Sequence, residues 1–393
     1  MKNQFVLEEA YLKSIGMIDT HAHRIHPDRA PDLSQVNCYA PGKGQEIHTR
    51  QTILYHTMIE RLRAYLKLPQ TATVSEVEAE RERRYRQDPK QFFADMVHDS
   101  HVDMYCMEIG SPLFGKLYSP EEIAYFNESI PQEKQCHIVR IERLVDELLP
   151  KKLPFSEFLQ EFDTEFDSQT SDKRTVGIKS CAAYYGGLDV DDVTKKQAAQ
   201  AYEQIRNGHA DRQDKKALYQ YFLWHGTDFA AKYDLPIQIH TGQGAGDYID
   251  YRSMNPICLT RFLMDSRVRD RIRVVLLHGG HPYEEDTGNL VLQFANVYTD
   301  FSGVVWFGTV NGAARLQALC ERAPLDKIMY GSDATMLPEL YWYSPDHFRE
   351  LLNGVLTDFV KDGYMTKERA ADVAKMVLRE NALNCYDKIR TLL

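Results

Sequence analysis

Short apolar runs that stop at polar or glycine-containing turns recur eight times along the chain, separated by charged stretches with helical spacing. They are GMIDTHAH from Gly16, HVDMYCMEIG from His101, HIVRIE from His137, VGIKSCAAY from Val176, PIQIHTG from Pro236, RVVLLHGG from Arg273, NVYTDFSG from Asn296 and IMYGSDAT from Ile328. Strands alternating with helices predict an α/β fold with a parallel sheet, and eight such units predict a (β/α)8 TIM barrel. Chemistry in such a barrel gathers at the carboxyl ends of the strands, so the residues that close each run are the ones to examine. Residues 24–100 far exceed what one loop and helix require. This stretch opens with Pro27, Pro31 and Pro41 and continues as helix-like sequence, including EVEAERERRYR from Glu76, whose mixed charges read as a solvated helix face. A helical insertion after the first strand is expected, serving as a lid over the barrel mouth or as an oligomer contact. With no repeat, low-complexity tract or Gly/Ser linker, residues 1–393 are expected to form one barrel unit containing the 24–100 insertion.

Composition narrows the function. Hydrophobic residues make up 43% of the 393, which excludes a disordered tail protein. The balance of 47 Lys+Arg against 57 Asp+Glu, net −10, leaves no basic stripe for phosphates, so neither nucleic acid nor an anionic membrane is an expected partner. A small-molecule substrate and a homo-oligomer are expected instead. The seven cysteines are odd in number, dispersed and never arranged as C-x-x-C, which argues against a disulfide framework or thiolate zinc site. Glu8 and Glu9 stand where an export signal needs apolar residues, and no apolar stretch is long enough to span a bilayer. A cytoplasmic location is expected.

Asp19-Thr20-His21-Ala22-His23 closes the first run. Side chains alternate along a strand, so His21 and His23 project to one side, where two imidazoles can grip a divalent ion. Alone this pair is a weak signal. It gains weight from the other run ends, where His240 closes the fifth, His278 the sixth and Asp333 the eighth. Imidazoles and a carboxylate on one rim form the ligand set of zinc foremost, with manganese or iron as alternatives and one or two ions per chain.

These residues, within IDTHAH, PIQIHTGQG, LLHGGHPYEED and YGSDAT, resemble the amidohydrolase superfamily of metal-dependent barrels. The runs are most similar to the branch containing amidohydrolase-type decarboxylases and the amidohydrolase-like domain fused to some glutamine synthetases. The resemblance implies that His21, His23 and His240 bind metal, that Asp333 is ligand and proton acceptor, and that His278 either binds a second metal or acts as acid/base beside one. Lys179 in VGIK resembles the lysine that binuclear members carboxylate to bridge two metals; the alternative is an ordinary lysine facing substrate or Asp333. The leading expectation is a hydrolase in which metal-activated water attacks an amide, lactone or related bond of a small organic acid. A nonoxidative decarboxylase on the same shell is the alternative, and a non-catalytic, metal-binding regulatory barrel the third reading.

On the third run, alternation places Arg140 and Glu142 inward. Arg140 then either captures a substrate carboxylate bidentately or closes an internal link to Glu142 or an aspartate. Tyr184 and Tyr185, and Trp306 and Phe307, line a substrate pocket or pack between loops. HTGQGAGDY lacks the phosphate-loop pattern and reads as backbone pressed close to the metal centre. His281 reads as a loop contact, and His26 carries the same ambiguity between ligand and loop. His48, His56 and His225 fall in helix-like stretches.

Overall fold

Eight parallel strands pair in chain order: β1 Met17–His23, β2 Val102–Glu108, β3 Gln135–Arg140, β4 Thr175–Ser180, β5 Ile237–Ile239, β6 Val274–Leu276, β7 Val297–Asp300 and β8 Ile328–Met329. The structure is a computed structural model describing residues 5–25, 32–36, 46–110, 118–244, 249–304 and 309–393. Each expected run contains a strand, and helices follow the strands around the sheet. Backbone bonds bring β8 back to β1: Thr20 N–H donates to Tyr330 O at 3.1 Å, His23 N–H to Ala334 O at 2.9 Å and Asp333 N–H to His21 O at 2.7 Å. This is a TIM barrel. Among the described residues, no helix is long and apolar enough to cross a membrane.

Two run ends differ from expectation. The third strand stops at Arg140, and the Ile141–Leu148 helix starts at the next residue, its apolar Ile141, Leu144, Val145 and Leu148 spaced to bury one face. Glu142 therefore lies in the first helical turn and does not share a strand face with Arg140. The fourth strand stops at Ser180, and Ala182–Tyr185 makes a single 3-10 turn.

Two apolar clusters divide the interior. The larger fills the space between sheet and helices. The smaller takes Ile18, Met104, Cys106, Cys136, Ile138, Val275 and Met329 from different strands and adds Cys385, Tyr386 and Ile389 from the C-terminal segment. Side chains from so many strands meet only inside the barrel, so the C-terminal segment plugs its floor.

Within 24–100 the described chain is helical, as expected, with helices Ile53–Tyr65, Val74–Gln87 and Pro89–Asp99. Thr73 and Glu76 form a capping box at the start of the second. Val77, Arg81 and Tyr85, four residues apart, form its buried face, while Glu80 pairs with Arg83 and Arg84, and Glu82 with Arg86. The solvated reading of this charge run fails only at Arg81. Its Nε lies 2.6 Å from Glu339 Oε1, both side chains buried, which ties the insertion to the first turn of the Pro338–Lys361 helix that follows β8.

Candidate metal centre

The bulge in β1 between Asp19 and Ala22 turns the H-x-H pair onto the barrel's open end. The ring centroids of His21 and His23 are 4.8 Å apart, and both face Asp333, whose Oδ1 lies 3.4 Å from His21 Nε2 and 3.0 Å from His23 Nε2. His278 approaches the same carboxylate, Nδ1 to Oδ2 being 3.9 Å, and its Nε2 is 2.9 Å from His240 Nδ1. His21, His278 and Asp333 each offer a ligand atom within 4.8 Å of the others. Every imidazole and carboxylate expected at the rim is thus brought together. His278 and Asp333 both have positive φ, 66° and 53°, a costly conformation for residues with a Cβ and one that clusters where geometry serves function.

Lone pairs decide whether this set suits a metal. Burial holds His240 and His278 well below the ordinary histidine pKa, so each ring is neutral. His278 Nδ1 faces the Ser302 carbonyl at 3.3 Å and Ser302 Oγ at 2.9 Å; a carbonyl only accepts, so Nδ1 carries the proton. Nε2 of His278 then accepts from His240 Nδ1–H, which leaves His240 Nε2 with a lone pair. That nitrogen is buried and has no hydrogen-bond partner among the described residues. A buried imidazole lone pair without a partner, on a ring bonded to His278 of the same cluster, fits a divalent cation.

Polar side chains brace the ligands from behind. Asp300, at the end of β7, accepts from His278 N at 2.9 Å, Ser302 N at 3.1 Å, Ser302 Oγ at 2.7 Å and Thr20 Oγ1 at 3.1 Å. Asp19 Oδ1 accepts from His21 N at 3.1 Å and Ser332 N at 2.9 Å, and burial pushes its carboxyl up to about 7. Gln238, two residues before His240, accepts from His21 Nδ1 at 3.0 Å. Glu108, at the end of β2, lies 3.3 Å from His23 Nδ1. Burial opposes charging His23, but its bonds to Asp333 and Glu108 outweigh this and raise its pKa to about 9.

Lys179 is buried on β4 close enough to lower the pKa of His21, His240 and His278, and desolvation lowers its own. Tyr184 packs against the His240 ring, centroids 4.7 Å apart. Trp306 and Phe307, like His26, lie outside the described residues.

The expected roles of Arg140 and Glu142 need correction. Arg140 is spent on the protein itself: NH1 is 3.3 Å from Glu108 Oε2 and NH2 donates to Gly110 O. Glu142, displaced into the helix, accepts from Ser180 Oγ at 2.6 Å and feels Arg140 only as a nearby charge. Tyr185 packs against helices and not between loops, stacked on Tyr219 at 3.8 Å with its hydroxyl donating to Asp146 at 3.0 Å. His281 is held by Glu284, Nδ1 to Oε1 being 2.7 Å, as a loop contact. The glycine-rich loop after His240 presses on the sixth-strand loop: a Cβ on Gly242, at φ 71°, would sit 2.2 Å from His281 O.

Glu108 and Asp300 were open to the rule that found His240, since each is the polar residue that closes its strand. Gln238 gave a fainter signal, a polar residue inside an apolar strand on the same side as His240.

A family model described as Amidohydrolase (Amidohydro_2) matches residues 188–388. Over 244 residues, 58% of this chain, the sequence is 28% identical to Protein fluG of Emericella nidulans, and the chain spans only 28% of that protein's length. A Lactobacillus casei structure provisionally named a metal-dependent hydrolase superposes with a TM-score of 0.83 at 22% identity, covering 98% of each chain. The glucuronate isomerase of Caulobacter crescentus does so with a TM-score of 0.63 at 12% identity, over 98% of this chain and 95% of that one. These likenesses are of fold, and a fold by itself chooses no reaction. The family model, however, covers just over half of the sequence, and the chain belongs to the amidohydrolase family.

Proposed function

We propose that the protein is a metal-dependent hydrolase that opens an amide, lactone or related bond in a small organic acid. The observation that carries this reading is the convergence of His21 and His23 on Asp333, with His278 joining that carboxylate to the His240 ring, whose Nε2 is buried without a partner among the described residues. His21, His23, His240 and Asp333 would hold the ion, zinc foremost, with manganese or iron as other choices. When bound, such an ion supplies a Lewis acid for the scissile carbonyl and lowers the pKa of a water to about 7.

The remaining work falls to side chains. Desolvation raises the Asp333 pKa above the ordinary carboxylate value even against its bond to His23, so the group is suited to take the proton of the attacking water and return it to the leaving group. His278, with Nδ1 fixed on Ser302 and Nε2 engaged by His240, serves in this reading as acid/base beside a single ion rather than as ligand to a second. Lys179 is the buried cation beside the imidazoles; as an ammonium it would meet the acid group of the substrate, and as a carbamate it would hold a second ion. Arg140 has no share in substrate binding, because Glu108 and Gly110 occupy it. Tyr184 would line the substrate side of His240.

The test is elemental analysis of protein purified without chelator and with bicarbonate, followed by a panel of amides and lactones. Wild type is expected to carry one or two divalent ions and hydrolyse at least one class, with Asp333→Asn abolishing turnover. Metal content that survives His21→Ala combined with His23→Ala would overturn the reading. So would carbon dioxide release from aromatic or enolic acids in the absence of any hydrolysis.

A further inference from the structure

Gln238 sits on β5 with its amide pinned at both ends. Its Nε2 donates to Thr20 O at 2.7 Å and to Tyr386 Oη at 2.8 Å, while its Oε1 faces His21 Nδ1 at 3.0 Å. All three side chains are buried. Thr20 O can only accept, so the nitrogen end of the amide must point that way and the oxygen end must point at His21. An amide oxygen can only accept as well. His21 Nδ1 therefore carries the proton, which leaves Nε2, the atom 3.4 Å from Asp333, as the nitrogen able to offer a lone pair to a cation.

Tyr386 belongs to the segment that plugs the barrel floor, remote in sequence from β1 and β5. Room for it comes from β4, where Gly177 has no side chain: a Cβ there would lie 2.8 Å from Ile138 Cδ1 and 3.3 Å from Tyr386 Cε1. The ring thus rises inside the barrel far enough for its hydroxyl to reach Gln238.

We propose that Gln238 and Tyr386 are positioning residues that lock His21 in the tautomer able to bind metal, so that the C-terminal plug sets the metal affinity of the opposite end of the barrel. This rests on the reading of His21 as a ligand. Groups that orient a ligating histidine typically contribute about 10–100-fold to metal affinity. Gln238→Met removes the acceptor while keeping the volume; Tyr386→Phe removes one of the two anchors of the amide and nothing else.

The experiment uses the full chain labelled with ¹⁵N-histidine, with His21 assigned by comparison with a His21→Gln spectrum. Long-range ¹H–¹⁵N spectra of metal-free protein report which nitrogen of His21 holds the proton. Competition with a chromogenic chelator reports the zinc Kd. Wild type is expected to show His21 wholly protonated at Nδ1. Gln238→Met should give a mixture of tautomers and zinc binding about 10–100-fold weaker, and Tyr386→Phe the same change on a smaller scale, several-fold in Kd. Should Gln238→Met fail to fold, Tyr386→Phe carries the test alone. A His21 tautomer unchanged in the variants overturns the proposal, whether zinc affinity falls or holds, because packing alone would then account for any loss. Wild type that takes up no zinc overturns the proposed control of affinity together with the metal reading, while the metal-free spectrum separately decides the tautomer lock.

Discussion

The two halves of the barrel are built differently. β1 to β4 have seven, seven, six and six residues, whereas β5 to β8 have three, three, four and two. Long strands hold their ends by the ladder itself, so His21 and His23 sit within β1, and Glu108 at the end of β2 is neutralised by Arg140 on β3. Short strands leave the sheet early, and His240, His278 and Asp333 all lie beyond the last ladder residue, two of them at positive φ. His240 and Asp333 keep one main-chain bond each, to Ser180 O and His21 O, while His278 N–H turns to the Asp300 carboxylate, so Asp300, Ser302 and Asp19 add what the shortened ladder no longer supplies. In the second half, then, the polar residues behind the ligands belong to the site as much as the ligands do.

The largest expected effect tests the first half. Arg140→Met leaves the buried Glu108 carboxylate with His23 in place of two partners and should cost about 3 kcal/mol in urea unfolding. A loss under 1 kcal/mol would mean that the ladder alone secures those strand ends. Asp300→Asn keeps an acceptor for His278 N but weakens charge-assisted bonds from several donors, for about 1–3 kcal/mol. In contrast to Arg140→Met, it should also weaken zinc binding, since the His278 loop loosens. Ser302→Ala should cost only about 1 kcal/mol in stability. Its effect on zinc Kd should nevertheless reach about tenfold, because the hydroxyl that fixes the His278 ring, and through it the orientation of the ligand His240, is gone. If both short-strand variants bound zinc like wild type, the contrast between the halves would collapse. The smallest effect is expected at Arg83→Gln on the insertion's solvent face, where an exposed pair is lost and the unfolding midpoint should not move.

Reading the sequence recovered the strands and the ligand candidates for one reason: in a parallel barrel an apolar run that ends in a histidine or aspartate is visible without knowing its neighbours. What it missed depends on neighbours. Alternation offers Arg140 a substrate carboxylate, Glu142 of its own run or an aspartate, but its partner Glu108 comes from the adjacent strand, and register between β2 and β3 is a tertiary fact. Glu142 was misplaced because the Ile141–Leu148 helix begins without a loop, so period-two and helical spacing overlap at one residue. Arg81 looked like any other charge in EVEAERERRYR until Glu339, far along the chain, supplied the reason for its burial. Gln238 could be read as polar and inward but not as the residue facing His21.

The C-terminal plug has a consequence for how the protein is made. Tyr386 and Ile389 complete an interior whose first wall is β1, so nearly the whole chain must leave the ribosome before that interior can be filled. A nascent chain that has emerged only through β8 has all its strands but an open apolar floor, and contacts this distant in sequence form slowly. The apolar floor is therefore expected to stay exposed until Tyr386 and Ile389 emerge, and a ribosome-stalled chain ending before Tyr386 should be more sensitive to protease than the 393-residue chain.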